Sequence, residues 1–171
     1  MTAAEERFDP YALLAALDRH RVGFIVIGAL GRVLHGSGEV TDGLDICPSM
    51  DEESLRRLGL ALDELQATTG EGRPALLERD LVGRVVLELE TDAGELKIVP
   101  EPAGTRGYDD LRRRAERLPI GQGLRPRVAS VDDHARMLAV LAREQDRLAL
   151  QTIQRVIELG HERSRGLSIE R

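Results

Sequence analysis

Apolar residues recur at helical spacing near the start of the chain, at Tyr11, Leu13, Leu14 and Leu17. Asp9 and Pro10 precede them, an acceptor for the first free amides followed by a residue whose fixed φ suits a first turn. A helix is predicted there, closing over residues 20–23. The β-branched run Phe24–Ile27 then reads as a short buried strand. Gly28 turns it into a second helix through Leu30, Val33 and Leu34 that ends at Gly36. A further apolar run at 44–47 predicts a second strand. Asp51, Glu52 and Glu53 start a long amphipathic helix with Leu55, Leu58, Leu62 and Leu65 on one side.

After a loop at 70–74, residues 85–90 and 95–99 alternate apolar and charged positions as half-exposed strands do. Residues 91–94 predict the hairpin turn between them. A Pro/Gly-rich connection at 100–107 leads to a helix from Tyr108 to about Arg117 and a short strand at 125–129. Ser130 with Asp133 three positions on has the form of a capping box, opening two helices over 131–159, with the chain fraying after Gly160. The pattern predicts an α/β (α+β) fold, a small mixed β-sheet with flanking helices and C-terminal helices. It predicts a single domain over 1–160, with the core sheet in 20–100, the C-terminal helices in 130–160 and a flexible tail at 161–171.

Composition narrows the function classes. Aromatic residues make up 2% of the chain, with no Trp, so the stacking platforms that hold single-stranded nucleic acid are missing. A net charge of −6 disfavours non-specific binding to nucleic acid or anionic membrane, and Arg112, Arg113, Arg114 and Arg117 read as a solvated helix face. One cysteine, Cys47, permits no internal disulfide and suits a reducing compartment. It follows a buried strand and reads as a small core hydrophobe. No signal segment is visible behind the acidic N-terminus and no apolar run reaches membrane-spanning length, so a cytoplasmic location is expected. Of 24 basic residues, Lys97 is the single lysine.

Residues 24–46 carry the chemistry. They predict a strand, a glycine turn, a helix ending in His35-Gly36-Ser37, a loop, and a strand bearing Asp45. A glycine at such a turn lets a phosphate approach the backbone amides. Two carboxylates two positions apart on the next strand would point the same way and could hold the divalent metals that a nucleoside triphosphate requires.

In this stretch the sequence resembles the nucleotidyltransferase superfamily related to DNA polymerase β, above all its small bacterial members, including some found as toxins. The resemblance covers roughly residues 20 to 150. Within it, Lys97-Ile98-Val99-Pro100 resembles the strand of the third carboxylate, and Ser130-Val131-Asp132-Asp133-His134 the start of the C-terminal helices. It implies a nucleotide-binding role for Gly28, Ala29, Ser37, Thr41 and Asp45. His35 reads as a helix cap or core contact.

The departures lie at the functional positions. The family's Asp-x-Asp is here Gly43-Leu44-Asp45, its third acid is Lys97, and two lysines that often recur in its C-terminal helices are Leu138 and Gln145. Asp42 does not replace residue 43, because residues three apart on a strand face opposite sides unless a bulge intervenes. Phosphoryl transfer depends on metal ions neutralising the charge that develops, and one acid holds no metal pair. The expectation is a degenerate site with no intact catalytic set, no metal and no cofactor. Asp45 is its vestigial acid, read as the salt-bridge partner of Lys97, and Glu95 is a second candidate partner. The protein would then serve as a nucleotide- or protein-binding module. The alternatives are an active magnesium-dependent enzyme with ligands relocated to Asp42, Glu88 or Glu95, and a toxin–antitoxin component.

Overall fold

The computed structural model describes residues 7–84 and 86–169. Val85, at the edge of one predicted strand, and the acidic N-terminal hexapeptide lie outside the described residues. Six strands form one mixed sheet in the order β3-β4-β2-β1-β6-β5. They are β1 (Phe24–Ile27), β2 (Gly43–Pro48), β3 (Leu87–Thr91), β4 (Gly94–Ile98), β5 (Glu116–Arg117) and β6 (Arg127–Val128). β1 runs antiparallel to β2 and parallel to β6, and β2 runs parallel to β4. This is the small mixed sheet that the hydropathy pattern predicts.

Alternation sorts the strands into two faces. Val26, Leu44, Ile46, Leu89, Leu96 and Ile98 share a core with Leu13, Leu14 and Leu17 of α1 (Pro10–Arg19) and Leu58 and Leu62 of α3 (Glu52–Glu64). On the other face Ile25, Ile27, Cys47 and Ala129 pack with Leu111 of α5 (Tyr108–Arg112) and Met137 of α6 (Val131–Leu141). That cover stops at β2. Beyond it, toward β4 and β3, the same face carries charged side chains.

The three predicted helix caps, Asp9, Asp51 and Ser130, are formed. Asp9 accepts from the Ala12 amide at 3.1 Å, and Asp51 accepts from Ser54 at 2.9 Å. Ser130 accepts from the Asp133 amide at 3.1 Å. The Asp133 carboxylate does not complete the box, because Arg114 and Arg136 hold it at 2.5 and 3.2 Å. α2 (Gly28–Leu34) follows β1 directly, and Gly31 lets it approach α6: a Cβ there would lie 2.7 Å from the His134 ring.

Three expectations are corrected. The helix predicted from Tyr108 to Arg117 ends at Arg112, and Glu116–Arg117 instead pair with β6. The strand at 125–129 shrinks to two residues. The chain does not fray at Gly160, because α7 (Glu144–Ile169) runs through it; a helical glycine costs only about 1 kcal/mol. α7 docks on α6 through Leu138, Ala149 and Ile153. A short helix α4 (Leu77–Asp80) and a 3-10 turn at Val82–Arg84 lie in the segment before β3, where no element was predicted.

Candidate functional site

The open end of the second sheet face is built by three strands in regular register. Gly43 lies opposite Glu95 and Asp45 opposite Lys97 across the parallel β2–β4 pair. Glu88 lies opposite Lys97 and Glu90 opposite Glu95 across β3–β4. Period-2 alternation therefore gathers Gly43, Asp45, Glu88, Glu90, Glu95 and Lys97 on one surface. β2 has no bulge between Gly43 and Ile46. Asp42 stands just before the strand, exposed, and its charge is felt at Glu95.

Gly28 holds Asp45 in place. It takes φ +70, in the left-handed region, and a Cβ on it would collide with the Asp45 carboxylate. Among the described residues that carboxylate has no hydrogen-bond or ion-pair partner. Burial raises its pKa above the usual carboxylate range, while Lys97 and then Arg32 pull the other way. Burial raises Glu95 as well, again against Lys97.

The expected pairing of Lys97 is corrected. Its Nζ lies 3.7 Å from Glu88 Oε1 and makes no ion pair with Asp45 or Glu95 among the described residues. The register explains the choice: Glu88 sits directly opposite Lys97 in the antiparallel hairpin, where opposite charges meet most closely. The hairpin turn carried this signal in the sequence, since pairing Thr91 with Gly94 fixes every partner behind it.

The remaining predicted residues surround this face in structural roles. Ala29 lies in the first turn of α2, which has no side-chain cap. Ser37 is buried and donates to Glu39 at 2.7 Å. Glu39 is also clamped by Arg32 through two 2.8 Å bonds, which hold its pKa below the usual range. Thr41 donates to the Gly43 carbonyl at 2.9 Å. His35 Nε2 lies 2.8 Å from the Ala129 carbonyl, a contact that ties α2 to the end of β6. Leu138 is a buried contact of α7, and the Gln145 side chain lies outside the described residues. Arg32 and Arg143, whose charges both reach Asp45, were not singled out in the sequence. Each has its own acid, Arg143 pairing with Asp146 at 2.7 Å.

No protein-family model matches this chain, and no curated protein sequence matches it. Solved structures do. A candidate nucleotidyltransferase from Thermotoga maritima superposes with TM-score 0.52 at 16% identity, covering 81% of this chain and 86% of its own. The antibiotic-resistance factor ANT(2'')-Ia superposes with TM-score 0.56 at 14% identity, covering 94% of this chain and 92% of its own. The fold is nucleotidyltransferase-like. At these identities the likeness is one of architecture.

A nucleotidyltransferase fold implies a divalent metal beside the strand that carries Asp45. The residues here do not fit one. Gly43 offers no ligand, Lys97 brings an ammonium to the adjacent position, and among the described residues no three acidic, histidine or cysteine side chains converge to hold an ion. The same face is rich in carboxylates. Asp45, Glu88, Glu90 and Glu95 share it with Lys97, whose Nζ lies 3.7 Å from the exposed Glu88 carboxylate. Three surface pockets lie elsewhere and none is lined by Asp45.

Proposed function

We propose that this chain is a nucleotidyltransferase-fold module without metal-dependent transfer activity, acting by binding. The observation that carries the proposal is the Asp45–Lys97 pair of positions, adjacent across β2 and β4, with Gly43 two residues before Asp45 on the same face. A fixed cation beside the acid opposes the entry of a divalent ion, and a single carboxylate cannot neutralise a triphosphate through two metals. Of the two kinds of binding partner, nucleotide or protein, the surplus of carboxylates around Asp45 favours a protein at this face. Like charge repels phosphate, whereas a partner's arginines or lysines complement it.

One observation favours a second reading, an active enzyme with relocated ligands. Among the described residues the half-buried Asp45 carboxylate has no donor, a state that a bound cation would relieve. Asp42, Glu88 and Glu95 would then have to supply the remaining ligands. The two readings separate in a transfer assay: the purified chain is incubated with labelled ribonucleoside triphosphates, magnesium or manganese, and RNA, protein and small-molecule acceptors. The binding-module reading predicts no labelled product. Metal-dependent label on any acceptor overturns it.

A further inference from the structure

Some arginines of this acidic chain are ion-paired and others are not. Arg19, Arg32, Arg56, Arg57, Arg73, Arg114, Arg136 and Arg143 each meet a carboxylate. Among the described residues, Arg21, Arg117, Arg125 and Arg127 are among those that do not, as are Arg106 and Arg112 at another pocket; what sets the four apart is that they line one cleft together. It lies where the end of α1 meets the start of β1 and the β5–β6 ribbon. Its volume is about 310 Å³ and its apolar wall includes Leu14, Phe24 and Leu124.

One placement sets like charges against each other there. Arg117 and Arg127 are directly opposite across the antiparallel β5–β6 pair, a like-charge placement that weakens a ribbon. Arg21 takes φ +53, the left-handed conformation in which glycine is the cheap residue. Its backbone is pinned there, its amide donating to the Asp18 carbonyl at 3.0 Å and its carbonyl accepting from Arg57 at 3.4 Å. Neutral acceptors fix two of the side chains, Arg117 to the Arg125 carbonyl and Arg127 to the Tyr108 hydroxyl, both at 3.2 Å. These bonds position the guanidinium groups and leave their charges uncompensated. Asp18 is the single carboxylate lining the cleft.

We infer that this cleft binds a small ligand bearing two or more phosphate groups. Planar guanidinium groups match phosphate oxygens bidentately, the volume lies at the small end of ligand sites, and the Phe24 wall offers a surface for an apolar or flat moiety. The chemistry is shared by inorganic polyphosphate and nucleoside diphosphates. The inference is independent of the reading of the Asp45 face, since Lys97 and Asp45 do not line this cleft.

The test is calorimetric titration of the full chain with inorganic pyrophosphate and, separately, with ADP and GDP, all with EDTA at low salt. Binding of pyrophosphate is expected, weakened at least tenfold in both Arg21→Ala and Arg125→Ala and unchanged in Lys97→Ala and Arg56→Ala. Both arginines that are changed are exposed and outside any ion pair, and circular dichroism checks that the variants fold. Tighter binding of the diphosphates than of pyrophosphate assigns the apolar wall to a base; equal binding assigns the site to inorganic polyphosphate. No saturable binding of any of the three, or equal loss in the Arg56→Ala control, overturns the inference. So does loss in Lys97→Ala alone, which would place the ligand on the other face. Saturable binding to an acidic peptide or RNA but not to these small probes also overturns it.

Discussion

Gly28 closes directly onto Asp45: its backbone sits at φ +70, and the space a Cβ would need is filled by the Asp45 carboxylate. The turn after β1 and the acid on β2 are therefore one packed unit. Among the described residues Asp45 has no donor, and it packs sterically against Gly28.

Gly28→Ala should therefore be far more destabilising than Gly36→Ala. Position 36 also has positive φ, at +103, but nothing lies within 4 Å of its Cβ position. Strain alone costs about 1 kcal/mol, and the collision at residue 28 adds to it. Urea denaturation of both variants checks this; equal losses would contradict the packing described.

Acid should destabilise the fold through His134. Its ring is 1% exposed, packed on Gly31 and edge-on to His35 at 5.9 Å. Burial, then the charges of His35 and Arg32, push its pKa down to about 3, with Glu39 opposing them. The unfolded chain binds the proton near pH 6.5. Stability from this group is complete above that value and is lost as pH falls from 6.5 toward 3. NMR titration should show His134 neutral in the folded protein at pH 5. A titration near 6.5 would sink the prediction.

Asp133→Ala should cost about 2 kcal/mol, the range for losing hydrogen bonds between charged groups. Asp133 is fully buried and held by Arg114 and Arg136, and Arg136 also reaches Asp110 at 3.1 Å. The variant would leave a small buried void, while Arg114, 55% exposed, turns to solvent and Arg136 keeps Asp110. A loss under 1 kcal/mol in chemical denaturation would mean that the cluster contributes little.

Cys47 should be inert in the native protein. It is buried, and burial pushes its thiol up to about 12. Ellman's reagent at pH 8 should label it only as fast as the chain unfolds; rapid labelling without denaturant would contradict that burial.

The elements legible in the sequence are those set by local signals. Phe24–Ile27, the α3 heptad of leucines and the 91–94 turn appear where periodicity and capping place them. The elements missed depend on distant partners. Glu116–Arg117 leave a helical pattern because they find β6, and Arg114, on the same stretch, is drawn to Asp133 nineteen residues away. Gly160 failed as a stop because one glycine does not outweigh the helix around it. At the site, Gly43 and Lys97 were visible as departures from the resembling family's pattern. The engagement of Lys97 by Glu88 was fixed by hairpin register, and the unpaired arginines of the cleft by long-range folding. Composition, with its single net charge, averages over the separation of an acidic face from a basic cleft.

The proposal with most at stake is that the Asp45–Lys97 face does not support metal-dependent nucleotide binding. Calorimetry tests it most directly, titrating the native chain with each of the four ribonucleoside triphosphates, with and without magnesium, beside a variant carrying Gly43→Asp and Lys97→Asp. Gly43→Asp needs a shift of a few tenths of an ångström, since its Cβ would meet Glu95 at 3.3 Å. The account predicts that magnesium strengthens no binding by the native chain and that a magnesium-dependent signal appears in the variant. Magnesium-dependent binding by the native chain would contradict it.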